Sequence, residues 1–168
     1  MTRAPMYTRK HRLDRAAYGG EVAVAFTLCV DDRVPVFEDH GLAASFTETL
    51  ARECEAHRCL VPVYCFMPDH VHVMTLGRTP RTDAWKTIVR FKQRTGFELS
   101  RRIPGARWQR GFHDHVLRSS EDLATHARYI AENPVRRGLA ASWDAYPFTG
   151  AIGIRLEDVL GALATHGC

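Results

Sequence analysis

Apolar residues recur with two different spacings in the first third of the chain. Residues 22–30 (VAVAFTLCV) are almost entirely apolar and include β-branched residues, which predicts a buried strand. Between residues 41 and 58 the apolar positions recur every four residues, at Leu42, Phe46, Leu50 and Cys54. This spacing predicts an amphipathic helix.

Two more strand-like runs follow, at residues 60–66 and 70–76. Met67, Pro68 and Asp69 lie between them and have the composition of a turn. The two runs are therefore predicted to pair as an antiparallel hairpin.

The second half of the chain continues with a helix, a strand and another helix. This second helix of the chain is predicted from Asp83 to Arg102 and has an apolar face and a basic face. The strand is predicted from Phe112 to Arg118. The last helix begins after this strand and extends to Asn133, because Pro134 cannot continue it.

The order strand–helix–strand–strand–helix–strand predicts an α+β fold of the ferredoxin-like sandwich type. Such a fold has one antiparallel sheet with helices on one face, here followed by the additional helix that ends at Asn133. A length of 168 residues with 45% hydrophobic residues favours a single domain. We expect a basic N-terminal extension at 1–21, the domain at 22–148 and a C-terminal tail at 149–168, with an amphipathic segment at Leu156–Leu163.

Charge is distributed unevenly. The net charge is +4, yet residues 1–18 hold five Lys or Arg against Asp14, and residues 86–118 hold nine against Glu98 and Asp114. Such clusters favour a polyanionic partner, although a solvated arginine-rich face would have the same composition. No run of about 18 apolar residues and no secretory signal is present, so we expect no membrane contact and a cytoplasmic location.

His70 and His72 form an H-x-H pair on a predicted strand. Alternate residues of a strand share one face, so the two imidazoles can converge on a single metal ion. A half-exposed polar face of a sheet would give the same pattern, and a third ligand is needed.

Tyr129 and Asn133 are four residues apart on the predicted last helix, which brings a phenol and an amide oxygen to one helix face. The alternative is structural: Tyr129 packs in the core with Ala127 and Ile130, while Asn133 caps the helix. Spacing alone leaves both interpretations open.

Three motifs resemble those of one family. They are MPDHVHV at 67–73, WQRGFHDHVLR at 108–118 and YIAENPVRRGL at 129–139. In sequence and in order they are similar to the motifs of REP-associated tyrosine transposases, single-tyrosine members of the HUH group. The similarity extends from about Val22 to Phe148.

This resemblance implies a set of roles. His70 and His72 would bind a divalent cation, Mg²⁺ or Mn²⁺, with Asn133 as the third ligand. Tyr129 would be the catalytic nucleophile that nicks and rejoins hairpin-bearing single-stranded DNA through a 5′-phosphotyrosine. The protein would act as a monomer or a homodimer. Two other functions stay open: a DNA-binding module that does not cleave, and a zinc hydrolase.

Seven basic residues are candidates for contacts with DNA phosphates, either along the second helix or near the motifs. They are Lys86, Arg90, Lys92, Arg94, Arg110, Arg136 and Arg137.

The chain departs from the family pattern at a few positions. Asp69 replaces the usual asparagine. It could contact a metal ion or one of its ligands, or serve as a turn residue, and we favour the turn. Arg137 stands where a small residue is common. A second H-x-H pair, His113 and His115, is assigned a structural or surface role and not a role in metal binding.

Overall fold

The computed structural model describes residues 13–161, which form five strands and five helices. The strands are β1 (Ala23–Cys29), β2 (Cys59–Met67), β3 (His70–Gly77), β4 (His113–Leu117) and β5 (Thr149–Ile152). The helices are α1 (His40–Ala56), α2 (Ala84–Arg102), α3 (Ser120–Ala131), α4 (Asn133–Arg136) and α5 (Leu156–Gly161).

All five strands belong to one antiparallel sheet in the order β4-β1-β3-β2-β5. The predicted β2–β3 hairpin is present, but Met67 lies opposite His70 and belongs to β2, so the turn consists of Pro68 and Asp69 alone. The first four strands and α1 and α2 follow the split βαβ arrangement. The predicted α+β fold is therefore confirmed.

One face of the sheet is covered by α1 and α2. The predicted apolar stripe of α1 is fully buried, and it packs with Phe91 of α2 and with Val24, Phe26 and Leu28 of β1. The alternation of β1 explains this pattern, because every second residue of a strand points to the same side. Burial of these aromatic and aliphatic side chains is the main stabilising contribution of the first core.

The opposite face carries a second core, formed with α3 and α5. Met74 of β3 packs there with Ala127 and Ile130 of α3 and with Leu160 of α5. Because residues i and i+2 of a strand share a face, His70 and His72 lie on the same side of β3 as Met74. Helix α3 is thus the element that covers the face bearing the two histidines.

The predicted end of the last helix is wrong. Helix α3 ends at Ala131, Glu132 is a turn residue, and Asn133 begins the separate helix α4. Pro134 explains the break, because it has no N–H to donate to the carbonyl of Ile130, which accepts from the N–H of Glu132 instead. Tyr129 and Asn133 therefore do not share one continuous helix.

The described part of the predicted C-terminal tail belongs to the folded structure. Strand β5 pairs with the edge of β2, and α5 packs on α3. Most of the predicted N-terminal extension, residues 1–12, lies outside the described residues. Within residues 13–21 the ring of Tyr18 is buried, and its hydroxyl donates to the carboxylate of Asp114. Between residues 13 and 161 no helix has the length and apolar character needed to cross a membrane.

Gly77, at the end of β3, should not tolerate a side chain. A Cβ there would overlap the carbonyl oxygen of Gly20, which belongs to the backbone. We expect Gly77→Ala to lower the free energy of unfolding by about 3 kcal/mol, because the two segments must move apart. Urea denaturation measures this change.

Gly96→Ala is the matched control. A Cβ at Gly96 would lie 3.5 Å from Cδ1 of Trp108, an ordinary contact, inside helix α2. This variant should be as stable as the wild type or slightly more stable. Equal stability of the two alanine variants would contradict the close approach of Gly77 and Gly20.

Candidate active site

The two histidines of the H-x-H pair face each other at the start of β3. His70 is 7% exposed, His72 is half-buried, and their rings are nearly perpendicular. The Nε2 atoms are 3.1 Å apart. This separation allows both nitrogens to lie ~2.1 Å from one cation.

Hydrogen bonds at the Nδ1 atoms hold both rings. Nδ1 of His70 is 2.5 Å from Oδ1 of Asp69, and Nδ1 of His72 is 3.0 Å from the hydroxyl of Thr27 on β1. Thr27 occupies this position because it is the cross-strand partner of His72. When each Nδ1 donates, each Nε2 keeps a lone pair, which is the tautomer that a metal ligand requires.

Asp69 does more than form the turn. Its second carboxylate oxygen is 3.4 Å from the guanidinium of Arg33, so the side chain lies between a cation and His70. The favoured interpretation as a turn residue correctly gives its place in the hairpin. The contact with Nδ1 of His70 agrees with the alternative that the acidic residue supports the histidine pair.

Burial disfavours the protonated form of both imidazoles. Burial is the largest cause that lowers the pKa of His70 from 6.5, and it outweighs the opposing effect of Asp69. Burial, followed by the charges of His70 and His126, lowers the pKa of His72 to about 3. Arg137 lowers both pKa values, which indicates that α4 and the residue after it lie near the pair.

Tyr129 is on the last turn of α3, and its side chain is 56% exposed. The alternative interpretation of Tyr129 as a core aromatic is therefore wrong. Its ring lies 4.0 Å from the guanidinium carbon of Arg136 and 6.1 Å from the ring of His126. A phenol exposed to this extent can reach a substrate that binds on the surface.

Asn133 begins α4, which lies against β2. It is 8% exposed, and its side chain makes no hydrogen bond within residues 13–161. It does not act as the cap of α3, whose C-terminal cap is Glu132. Across the described residues no cluster of three or more His, Cys, Asp or Glu is arranged to hold a metal ion. The motif resemblance makes the amide oxygen of Asn133 the candidate for a third protein ligand, and this role stays a prediction.

The candidate DNA contacts on α2 differ in what they touch. Lys86 and Arg90 are exposed, whereas the ammonium of Lys92 donates to the carbonyl oxygens of Gln109 and Gly111. Arg94 forms an ion pair with the buried carboxylate of Glu53 on α1. Helix α2 covers the sheet face opposite the histidine pair.

The remaining candidates lie elsewhere. Arg110 is exposed between α2 and β4, and Arg136 and Arg137 are exposed at the end of α4 and directly after it. For all seven basic residues a contact with DNA stays a prediction.

The second H-x-H pair is separate from the first. His113 and His115 are exposed on the edge strand β4, and His115 stacks on His126 of α3 with ring centroids 5.9 Å apart. Burial, and then the charge of His115, lower the pKa of His126. His126 escaped the sequence analysis, although its position one helical turn before Tyr129 was a usable signal.

Comparison with known proteins agrees with the motif resemblance. The family model described as IS200-like transposase matches residues 20–133 of the chain. A Haemophilus influenzae protein described as a REP-associated tyrosine transposase is 27% identical over 139 residues, which are 74% of this chain and 76% of that protein.

A solved structure has the same fold. It is described as a REP-associated tyrosine transposase bound to a REP hairpin, and it matches with a TM-score of 0.69 at 17% identity. The match covers 84% of this chain and 82% of the other. The resemblance inferred from the three motifs is confirmed.

Removal of the Asp69 carboxylate should weaken metal binding. We expect Asp69→Ala to raise the Kd for Mn²⁺ about 10-fold, because Nδ1 of His70 loses the acceptor that fixes its tautomer. Asp69→Asn should have a smaller effect, since an amide oxygen can still accept. Isothermal titration calorimetry on metal-free protein measures both values.

Asp31→Ala is the control, because Asp31 forms a similar ion pair, with Arg107, but no bond to either histidine. It should bind Mn²⁺ as the wild type does. If Asp69→Ala also binds with unchanged affinity, the carboxylate does not orient His70.

Metal affinity should depend little on pH near neutrality. Because the pKa values of His70 and His72 are both below the ordinary 6.5, protons compete for the imidazoles only in more acidic solution. The Kd for Mn²⁺ should therefore be nearly constant from about pH 8 to about pH 6.5. A loss of affinity with its midpoint at or above pH 6.5 would show that the histidines titrate normally.

Proposed function

The chain belongs to the family of IS200-like transposases, and from this premise we propose that it cuts and rejoins single-stranded DNA with Tyr129 as the nucleophile. A divalent cation held by His70, His72 and Asn133 would assist the reaction. One observation carries the proposal. The Nε2 atoms of His70 and His72 are 3.1 Å apart and lie on the sheet face that is covered by α3, the helix that presents Tyr129.

The exposed phenol is suited to attack a phosphodiester. The hydroxyl oxygen of Tyr129 forms a bond to phosphorus, and the bond between phosphorus and the 3′-oxygen breaks. The phenol loses its proton, and the departing 3′-oxygen gains one. The products are a 5′-phosphotyrosine and a free 3′-hydroxyl.

The covalent link allows the strands to be joined again. A 3′-hydroxyl attacks the phosphotyrosine, and Tyr129 then departs with its oxygen. One phosphodiester is exchanged for another, so no nucleotide cofactor is required. Tyr129 acts as the nucleophile in the first step and as the leaving group in the second.

The ligand set suits Mg²⁺ or Mn²⁺. Two neutral imidazoles and one amide oxygen form a mixed nitrogen and oxygen site, which Mn²⁺ accepts readily and Mg²⁺ accepts with additional oxygen ligands. When bound, such an ion neutralises the charge that develops on the phosphate oxygens. The bonds from Asp69 and Thr27 keep the two imidazoles oriented for it.

We propose a hairpin-bearing single strand as the substrate. The solved structure with the same fold is of a protein bound to a REP hairpin, which supports this class of DNA. Arg137 is exposed, lowers the pKa of both histidines by its charge and makes no ion pair within residues 13–161, which supports a contact with a DNA phosphate. The protein would act as a monomer or a homodimer.

The test is a covalent adduct. Purified protein is incubated with Mn²⁺ and labelled single-stranded hairpins taken from palindromes beside its gene, and denaturing electrophoresis separates any protein–DNA adduct. The wild type should form an adduct, and Tyr129→Phe should form none while it binds the same DNA. Tyr146→Phe, which removes a hydroxyl that donates to the carbonyl of Phe66, is the matched control and should form the adduct.

Two outcomes would contradict the proposal. An adduct that persists in Tyr129→Phe would assign the nucleophile to another residue. Tight binding of several hairpins by the wild type without any adduct would favour a DNA-binding module that does not cleave.

A further inference from the structure

Arg136 makes two separate contacts with Tyr129. Its guanidinium carbon lies 4.0 Å from the centre of the tyrosine ring, and Nη2 donates to the tyrosine carbonyl oxygen at 2.6 Å. Arg136 also forms a weaker ion pair with Glu132, with 4.0 Å between the charged atoms. One side chain therefore holds both the backbone and the ring of the proposed nucleophile.

The break between α3 and α4 creates this arrangement. The last carbonyls of a helix lack the donors of a following turn, and Pro134 removes one further N–H. Helix α4 brings Arg136 back over the end of α3, where a cation at a helix C-terminus is favourable. The guanidinium that donates to the carbonyl then also lies over the ring.

The ring of Tyr129 has little else to hold it. It is 56% exposed, and its one aromatic neighbour within residues 13–161 is His126, at 6.1 Å between ring centres. An exposed side chain samples several rotamers, and each unproductive rotamer lowers the rate of attack. A cation over the ring restricts this freedom.

Arg137 offers a natural comparison. It follows Arg136 directly, it is also exposed, and its charge also lowers the pKa of His72. Within the described residues, however, Arg137 contacts neither the ring nor the carbonyl of Tyr129. The two arginines share charge and location but differ in what they touch.

We propose that Arg136 is a positioning residue, which holds the phenol of Tyr129 for attack and for return, and not a contact to a DNA phosphate. The inference rests on the proposed function of Tyr129. The proposal assigns different roles to Arg136 and Arg137, two adjacent arginines that the sequence alone does not distinguish. Arg137 keeps the phosphate role, and Arg136 acts through the tyrosine.

The experiment separates binding from chemistry. Hairpin DNA is titrated at several salt concentrations to obtain Kd and its salt dependence, and adduct formation is followed in a single turnover at saturating DNA with Mn²⁺. Arg136→Ala should slow adduct formation about fivefold, which corresponds to the loss of one exposed cation–π contact. Its Kd and salt dependence should match those of the wild type.

Two further variants of Arg136 identify the contact that matters. Arg136→Gln can still donate to the carbonyl of Tyr129 but has no charge to place over the ring, so it should be as slow as Arg136→Ala. Arg136→Lys restores a cation and should recover part of the rate. Thermal unfolding midpoints show whether each variant is folded at the assay temperature.

Arg137→Ala is the matched comparison for binding. Its Kd should rise, and its salt dependence should weaken by about one counterion.

Three results would overturn the inference. A raised Kd with an unchanged saturating rate in Arg136→Ala would make Arg136 a phosphate contact. A wild-type rate in Arg136→Gln would reduce its role to closing the end of α3. Wild-type values of both quantities in Arg136→Ala would exclude any role. Absence of an adduct in the wild type would instead reject the proposed function itself, so the two failures are distinguishable.

Discussion

The antiparallel pairing of β1 with β3 positions the candidate site. It places Thr27 opposite His72, so that a hydroxyl on one strand meets Nδ1 of an imidazole on the next. A shift of one residue in this register would turn the histidines toward the first core and break the bond. The turn of the β2–β3 hairpin supplies the second support, because it brings Asp69 to the ring of His70. The orientation of the two candidate ligands thus depends on the pairing of the strands and on the hairpin turn.

A second constraint comes from the helix break at Glu132. Pro134 ends α3 within one turn of the catalytic candidate, and the chain returns as α4. This return places Arg136 over Tyr129 and begins a new helix at Asn133 beside β2. The proline that the sequence indicates as a helix stop therefore determines the arrangement of three candidate functional residues. The candidate site therefore depends on the break between α3 and α4 as well as on the regular pairing of the sheet.

Much of the fold could be predicted from the sequence because its signals are local. The period of four in α1 and the apolar run of β1 depend on neighbouring residues alone. Strand β5 was missed because it has only four residues and its stability comes from pairing with β2. In this pair Tyr64 packs closely on Gly150, where an added Cβ would lie 2.6 Å from the phenol oxygen. Such long-range pairing leaves no periodic pattern in the sequence.

The same distinction applies to the site. Motifs identified His70, His72 and Tyr129, because these residue types and spacings resemble one family. The support from Asp69 and the contacts of Arg136 depend on a turn, a helix break and side-chain direction, which the motifs do not encode. The measurement that tests the account most directly is anomalous diffraction from crystals of the protein grown with Mn²⁺. The account predicts one strong peak within bonding distance of both Nε2 atoms and of the amide oxygen of Asn133. A fully occupied ion elsewhere, with none between His70 and His72, would contradict it.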